Sequence, residues 1–501
     1  MNADPSTNAD APVAPPGPMP RATVLLIGTL VLSAFVMVLN ETIMSVALRD
    51  LTVELRVTAT TVQWLTSGFL LTMAVVIPTT GYLLERFTAR QVFTASLALF
   101  SLGTLISALA PGFAVLLAGR VVQASGTAMM IPLLMTSVMR LVPVDRRGAT
   151  MGTISIVIAV APAIGPTIGG AVLSSLGWRW MFWFVLPLAL AALAAGVRLM
   201  RLESGSRVIP LDVLSVVLSA IGFSGVLFGL AAIGESAHGD PVLPPWAPIA
   251  LGVLALVLFT WRQLRLQRDD RALLDLRPFT HRTFVVGVVL SALLFMALLG
   301  AAAIMVPLYL QTVLGESTFV TGLAMLPGGL AMGLLGRPVG RLYDRLGART
   351  LIIPGSIALA AALWLFALLG PGSPLVAVIG IHTVLMIGIA LMITPLMTDS
   401  LSSLSDHLYS HGSAILSTLQ QVAGAFGSAV FVSLATLGSA SDTGIPDMAG
   451  LRLGFVVAGC IALAAVAVAV LAVPKRPAPN AGAVDTEGEV GKVGEVGEVT
   501  V

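Results

Sequence analysis

This sequence contains few charged residues. Asp, Glu, Lys and Arg make up 10% of its 501 residues, whereas hydrophobic residues make up 57%. A soluble domain carries about 25% charged residues, so the composition excludes a soluble globular protein and indicates a surface that mostly faces lipid. The single cysteine, Cys460, excludes an intramolecular disulfide framework. The formal net charge of +2 is too small to indicate nucleic acid as a partner.

Motifs of several enzyme classes are also missing. The sequence contains no Walker lysine motif, no nucleophile elbow and no metalloprotease helix. ATP-driven transport and hydrolysis within the membrane therefore lack the residues that would perform them. The sequence predicts a protein that is not an enzyme and that needs no cofactor or metal.

Long apolar runs are what the sequence does contain. A bilayer core about 30 Å thick needs about 20 apolar residues per helix, and by that rule we count fourteen spans. The first run, residues 22–48, is longer than the apolar region of a cleavable signal peptide, so we interpret it as a span. Residues 1–20 and 474–501 cannot bury a core, and we expect them to be disordered cytoplasmic tails.

A ten-residue pattern occurs twice, at residues 81–90 (Gly-Tyr-Leu-Leu-Glu-Arg-Phe-Thr-Ala-Arg) and 340–349 (Gly-Arg-Leu-Tyr-Asp-Arg-Leu-Gly-Ala-Arg). Duplicated halves in a membrane chain are typical of transporters. The copies follow spans 2 and 10, which are matching positions only if spans 7 and 8 are an insertion. The prediction is an all-α integral membrane protein with an N-terminal six-helix bundle at 21–203, an inserted two-helix segment and linker at 204–281, and a C-terminal six-helix bundle at 282–473.

The distribution of arginine and lysine predicts the orientation. If the N-terminus is cytoplasmic, the cytoplasmic segments hold 22 of the 27 basic residues and the external segments hold 4, with Arg120 inside a span. Positive residues favour the cytoplasmic side. We therefore expect both termini, and both copies of the repeat, to be cytoplasmic.

Further motifs carry a family resemblance. They lie at residues 120–126 (Arg-Val-Val-Gln-Ala-Ser-Gly), 161–170 (Ala-Pro-Ala-Ile-Gly-Pro-Thr-Ile-Gly-Gly) and 178–183 (Trp-Arg-Trp-Met-Phe-Trp). Together with the doubled pattern, they resemble the fourteen-helix drug:proton antiporters of the major facilitator superfamily. Residues 61–68 (Thr-Val-Gln-Trp-Leu-Thr-Ser-Gly) and 418–424 (Thr-Leu-Gln-Gln-Val-Ala-Gly) are similar to its lincomycin-resistance-type branch.

This resemblance implies the major facilitator fold and a function. The expected function is proton-driven export of small amphiphilic drugs, such as lincosamide-like antibiotics, by alternating access across the cytoplasmic membrane of a bacterium. The expected partners are the small-molecule substrate, protons and membrane lipid, with the chain acting as a monomer. Export of an endogenous lipid or metabolite is an alternative, and a non-transporting membrane sensor is another.

Glu41 is the candidate proton carrier. It lies deep in the first apolar run, where a charged carboxylate is costly and proton exchange relieves that cost. Arg120 lies at a similar depth, about 14 Å from the external end of its own span at 1.5 Å per residue, so the two side chains could pair. The wider antiporter pattern places an aspartate at the position of Asn40. The alternative is that Glu41 is held by hydrogen bonds for helix packing.

Two groups of residues are candidates for gating. In the doubled pattern, the glycines allow close helix approach, and the acids and arginines are expected to pair across the two halves. The alternative is a set of ordinary cytoplasmic loop charges. The Gly-Pro-rich helix is expected to be a pivot and a seal, or else a static kink. The candidates are Gly81, Glu85, Arg86, Arg90, Gly165, Pro166, Gly169, Gly170, Gly340, Asp344, Arg345 and Arg349.

Polar and aromatic groups within spans are candidates for substrate contact, because unpaired polarity is expensive there. Bridging between helices is the alternative for each of them. The candidates are Asn40, Gln63, Trp64, Gln123, Tyr309, Gln311, Gln420 and Gln421.

A last group, Asp399, Asp406, His407 and His411, lies in a stretch without arginine or lysine. We interpret it as a solvated loop, with proton exit or metal binding as the alternatives.

Overall fold

The computed structural model describes residues 19–199, 210–236, 244–439 and 446–474. Apart from residues 19, 20 and 474, the two predicted tails lie outside these ranges. Within the described residues every regular element is a helix, and no strand is present.

The N-terminal bundle consists of seven helical segments that form six spans. The helices are α1 Arg21–Glu54, α2 Ala59–Val76, α3 Thr80–Arg86, α4 Ala89–Ala108, α5 Phe113–Leu141, α6 Arg147–Leu176 and α7 Arg179–Leu199. A single 3-10 turn, Ile77–Thr79, joins α2 to α3, so these two helices continue one another across the membrane. The inserted pair is α8 Val213–Ser236 and α9 Trp246–Leu266.

The C-terminal bundle repeats the arrangement. Its helices are α10 Arg282–Met296, α11 Val306–Leu308, α12 Thr318–Leu346, α13 Arg349–Leu368, α14 Leu375–Ser402, α15 Tyr409–Leu437 and α16 Met448–Ala472. Two π-helical segments, Ala297–Met305 and Tyr309–Val313, carry the first of these through to residue 313 as one span.

The number of spans agrees with the prediction. Thirteen helices of the described residues are long and apolar enough to cross a membrane, and α6 makes a fourteenth if its two bent parts count as one span. The bend in α6 measures 41° between Pro162 and Thr167, the segment that contains the Gly-Pro motif. A proline inside a helix removes one backbone hydrogen bond and is a common cause of such kinks.

The inserted pair lies beside the cleft between the bundles. Helix α8 contacts α2 of the first bundle and α15 of the second. Its Phe223 and Leu227 pack with Ala74 of α2 and Val422 of α15. The pair is therefore a bridge along one side of the two bundles, and it is not a separate domain.

The two bundles meet closely at the end where the repeated pattern lies, which we call the motif end. The α6 and α12 helices approach so closely there that a Cβ on Gly152 would collide with the backbone of Gly336, and a Cβ on Gly340 with that of Gly148. Such contacts through small residues are a usual form of helix packing in membranes. The sequence pattern thus places glycine where the two halves touch.

Candidate functional site

Arg120 is buried inside the N-terminal bundle, with 1% of its surface exposed. Its Nη1 lies 2.6 Å from Oε1 of Gln123 and 3.2 Å from Oδ1 of Asn40, and it donates to both. The amide of Gln123 in turn donates to Oγ1 of Thr104, at 2.8 Å. The guanidinium also lies over the ring of Phe69, 4.1 Å from its centroid. One cation therefore ties together α1, α2, α4 and α5.

Glu41 is the residue after Asn40, but it does not share the hydrogen bond that Asn40 accepts from Arg120. Among the described residues no carboxylate oxygen lies within 4.0 Å of an Arg120 nitrogen, and the Glu41 carboxyl makes no hydrogen bond. The two charges are still close enough to interact electrostatically. The two charged groups are therefore neighbours without a direct ion pair, and their role in proton coupling stays a prediction. One residue turns a helix by about 100°, which directs Asn40 at the guanidinium and leaves Glu41 beside it.

The Gly-Pro-rich part of α6 packs against the same helix as Glu41. A Cβ on Gly165 would collide with the hydroxyl of Thr42, and one on Gly169 would lie 3.1 Å from Ile43. Gly170, by contrast, has nothing within 4 Å of such an atom. Two of these glycines thus permit the close approach of α1 and α6, and the third does not contribute to it.

Asp344, the acid of the second copy of the repeat, reaches the other bundle. Its Oδ1 accepts from the backbone N–H of Gly148 at 2.8 Å, and its Oδ2 accepts from Ala149 at 2.9 Å. These are free N–H groups in the first turn of α6, and a carboxylate is also favoured there by the helix dipole. The expected contact across the two halves is present for this acid, and its gating role stays a prediction.

Glu85, the acid of the first copy, also contacts the opposite bundle. Its Oε1 lies 3.2 Å from Nε2 of His411 in α15. His411 is 2% exposed and fills the space beside Gly81, where a Cβ would come within 2.6 Å of Nδ1. The expectation that His411 belongs to a solvated loop is therefore wrong, because the missing side chain of Gly81 lets α15 pack onto α3.

The other three residues that were expected to lie in a solvated loop with His411 are Asp399, Asp406 and His407. Asp406 and His407 are exposed between α14 and α15, as expected. Asp399 lies within α14, where it accepts from the Tyr343 hydroxyl at 3.3 Å. No group of three or more metal-ligating side chains was found among the described residues.

The arginines of the repeat do not pair across the two halves as expected. Arg349 donates to the carbonyl oxygens of Val470 and Val473, so it holds the end of α16 within its own bundle. Arg86, Arg90 and Arg345 form no ion pair in the described part of the chain. These arginines therefore make none of the hydrogen bonds or ion pairs that join the two bundles in the described part of the chain.

Hydroxyl pairs complete the contact between the bundles. Oγ1 of Thr136 lies 2.9 Å from Oγ of Ser413, and Oγ of Ser155 lies 2.6 Å from Oγ1 of Thr394. Both pairs, like the contacts of Asp344 and Glu85, lie in the half of the helices nearest the motif end. The structure therefore has a closed motif end.

The predicted substrate contacts fall into two groups. Gln123 and Tyr309 are fully buried and engaged in packing, the first with Arg120 and the second through its hydroxyl, which donates to the Gly370 carbonyl at 2.8 Å. In this structure they are not free for a ligand. Gln63 and Gln311 are exposed, and Trp64 stacks on Phe228 of the inserted pair at 5.9 Å.

Two buried amide donors remain available. The Nδ2 of Asn40 and the Nε2 of Gln420 have no hydrogen-bond partner among the described residues. The neighbouring Gln421 makes only a long contact, 3.9 Å from its Nε2 to the Met73 sulfur on the other bundle. Buried donors without partners are expensive, so these groups favour a ligand acceptor.

Sequence reasoning missed Phe69, Thr104 and the bonds of His411. An apolar residue in an apolar span gives no signal of a cation above its ring. A buried Thr likewise resembles any other small polar residue of a membrane helix. For His411 the available signal was Gly81, since a repeated glycine at a helix contact requires a neighbour that fills the space.

Comparisons with known proteins agree with the motifs. The family model described as Major Facilitator Superfamily matches residues 30–428. The chain is 41% identical over 410 residues to the lincomycin resistance protein LmrB of Bacillus subtilis, covering 82% of this chain and 85% of that protein. It is 30% identical over 415 residues to the multidrug resistance protein B homolog of Mycobacterium tuberculosis (strain H37Rv), covering 82% and 75%.

Solved structures show the same fold at low sequence identity. The proton:xylose symporter XylE matches with a TM-score of 0.62 and 16% identity, over 91% of this chain and 96% of that one. The human organic anion transporter MFSD10 matches with a TM-score of 0.61 and 16% identity, over 90% and 100%. The paired six-helix bundles with an added pair are thus a variant of a fold shared with these transporters.

Proposed function

Since this chain belongs to the major facilitator superfamily, and is therefore a multi-pass membrane transporter and not an enzyme, we propose that it is a proton-coupled antiporter exporting small amphiphilic drugs. The names of its relatives, lincomycin resistance and multidrug resistance proteins, support lincosamide-like antibiotics among the substrates. The observation that carries the proposal is the Glu41 carboxyl, which has no direct partner among the described residues although it lies beside the buried Arg120, whose Nη1 bonds Asn40 and Gln123.

In this proposal Arg120 is a fixed charge and Glu41 is the group that binds the proton, and this separation of roles suits proton coupling. Arg120 is held by neutral oxygens of Asn40 and Gln123, so its positive charge stays in place whether Glu41 is charged or not. Glu41 in turn makes no hydrogen bond in the described part of the chain that would have to break before it binds a proton. In our mechanism Glu41 takes a proton from the external side, and the change of charge beside Arg120 alters the balance between the two conformations. Release of that proton to the cytoplasm then resets the carrier.

Alternating access would use the motif end as the inner gate. The excess of arginine near the repeat supports a cytoplasmic motif end and cytoplasmic termini. With that orientation the structure corresponds to a state closed to the cytoplasm. Opening inward would require Asp344 to leave the end of α6, and Glu85 to leave His411.

The substrate would bind between the bundles. Asn40 and Gln420 would donate to acceptor groups of the drug through their unpartnered amides, and Gln421 lies where the bundles face each other. Gln63, Trp64 and Gln311 stay candidates for the wider cavity. The proposed transporter works as a monomer in lipid and draws its energy from the proton gradient alone, without a cofactor.

The test uses inverted membrane vesicles with an acidified interior. Lincosamides and lipophilic cations are added outside, and proton release is followed with a fluorescent pH indicator for the wild type, Glu41→Gln and Glu316→Gln. Glu316 is a carboxylate outside the spans and serves as the matched control. Substrate-induced proton release in the wild type and the control, but not in Glu41→Gln, is expected. Release in all three would move the proton carrier elsewhere, and silence in all three would contradict drug export.

A further inference from the structure

A continuous series of hydrogen bonds starts in the inserted helix pair. Arg262 of α9 binds Asp212 at both oxygens, with Nε 2.6 Å from Oδ2 and Nη2 2.7 Å from Oδ1. The Ser215 hydroxyl donates to the same carboxylate. Gln263, fully buried, donates its amide N–H to Ser215 at 2.7 Å. The inserted pair is therefore fixed at its motif end by an ion pair and an amide.

Gln263 also holds the linker that follows the pair. Its Oε1 accepts from the backbone N–H groups of Leu273 at 2.8 Å and Leu274 at 3.2 Å. The linker residues Leu273, Leu274 and Asp275 are each 5% exposed or less. Arg277 closes the turn by binding Asp275, with Nε 2.7 Å from Oδ2. This segment is packed into the protein and is not a solvated connection.

Through the linker, the series of hydrogen bonds reaches the contact between the two bundles. The backbone N–H of Asp275 donates to Nδ1 of His411, at 3.2 Å. Because Nδ1 is the acceptor, the ring proton lies on Nε2, the nitrogen that is 3.2 Å from Glu85. The linker thus selects the tautomer that carries the ring proton on the nitrogen nearest to Glu85 across the bundles.

We propose that the linker of residues 267–281 is a third component of the gate at the motif end, and that the inserted helix pair acts on transport through it. Asp275 orients His411 through its backbone, Gln263 holds Asp275 in place, and His411 then retains Glu85. The inserted pair therefore stabilises the closed motif end through the linker. The inference relies on alternating access from the proposed function, and on neither its substrate nor its proton carrier.

The test measures closure directly. In a Cys460→Ser background, which removes the one native cysteine, Ser155→Cys and Thr394→Cys replace two hydroxyls that are 2.6 Å apart across the bundles. A disulfide requires Cβ atoms about 3.5–4.5 Å apart, so it forms only while the motif end is closed. The rate of oxidative cross-linking, read by mass spectrometry of the linked peptides, reports the closed population.

Gln263→Ala is expected to slow this cross-linking about fivefold, since it removes the three hydrogen bonds that join Gln263 to Ser215, Leu273 and Leu274. Ser215→Ala removes one partner of the Gln263 side chain and leaves the bonds of Gln263 to the linker. It is therefore expected to slow cross-linking less than Gln263→Ala does. Arg271→Gln is the matched control, because Arg271 is exposed in the same linker, and it is expected to cross-link at the parent rate. A Gln263→Ala protein that cross-links as fast as the parent would overturn the proposal.

A double-mutant cycle separates this pathway from general destabilisation. His411→Ala removes the contact on which the linker acts, so Gln263→Ala should have no further effect in that background. Additive effects of the two substitutions would overturn the proposal, even if each alone slows closure. Drug transport does not enter the readout, so a wrong substrate or a wrong proton carrier leaves the outcome interpretable.

Discussion

The guanidinium of Arg120 donates to the side-chain oxygen of Asn40, 3.2 Å away. A neutral amide therefore occupies the place beside the buried cation where an acid would form a fixed ion pair. An amide oxygen in that place still accepts a hydrogen bond from Nη1 of the buried guanidinium. It also leaves the adjacent carboxyl of Glu41 without a hydrogen bond among the described residues, as the proposed proton exchange requires.

Arg120→Lys is expected to disrupt both stability and transport. An ammonium is a point charge, and it cannot reproduce the planar bonds to Asn40 and Gln123 together with the contact over Phe69. We expect the free energy of unfolding to fall by about 2 kcal/mol and proton-coupled transport to fall at least about tenfold. Thermal unfolding in detergent and the vesicle assay measure the two effects.

Arg268→Lys is the matched control for that substitution, since Arg268 is exposed and forms no ion pair among the described residues. It should retain the unfolding temperature and transport of the wild type. If Arg120→Lys did the same, the geometry of the guanidinium would have no role and charge alone would suffice.

Gly165→Ala and Gly170→Ala are expected to differ, although both glycines belong to the same motif. A methyl group at Gly165 would meet the Thr42 hydroxyl, whereas one at Gly170 has nothing within 4 Å. Forcing an atom into a packed contact costs about 1–3 kcal/mol. We expect Gly165→Ala to lower the unfolding temperature and slow efflux, and Gly170→Ala to do neither. Equal effects of the two substitutions on efflux would contradict a role for the α1–α6 contact.

Much of the fold could be predicted from the sequence. Span length is set by bilayer thickness, so apolar runs between charged breaks give the helices, and the repeat at residues 81 and 340 gives the two halves and the insertion. The bend of 41° in α6 follows from its proline and glycines. These features depend on local composition and spacing, which a sequence displays directly.

The site was harder to predict because its contacts depend on how each helix is rotated. Counting residues gives the depth of Glu41 and Arg120, but it does not say which of Asn40 and Glu41 faces the arginine. Tyr309 was expected at a cavity, yet its hydroxyl bonds a carbonyl 61 positions later in the chain. For His411 the deciding partner is a linker backbone, whose position no side-chain pattern reveals.

The ion pair of the inserted helices should make stability depend on pH. The hydrogen bond from Arg262 lowers the pKa of Asp212, just before the α8 span, to about 2, against an ordinary value of 3.8. A carboxylate with a depressed pKa stabilises the folded state above its unfolded pKa, and that contribution is lost as the pH falls from about 4 toward 2. Asp212→Asn should therefore lower the free energy of unfolding at pH 7 by about 1–2 kcal/mol.

The difference between the wild type and Asp212→Asn should narrow as the pH falls below about 4, because the wild-type carboxylate then becomes protonated as well. Thermal unfolding in detergent, followed over a series of pH values, measures it. Asp50→Asn is the control, since Asp50 is an exposed aspartate in the last turns of α1; it should unfold like the wild type throughout. A deficit in Asp212→Asn that stays constant down to pH 2 would mean that the hydrogen-bond geometry, and not the charge of Asp212, stabilises the inserted pair.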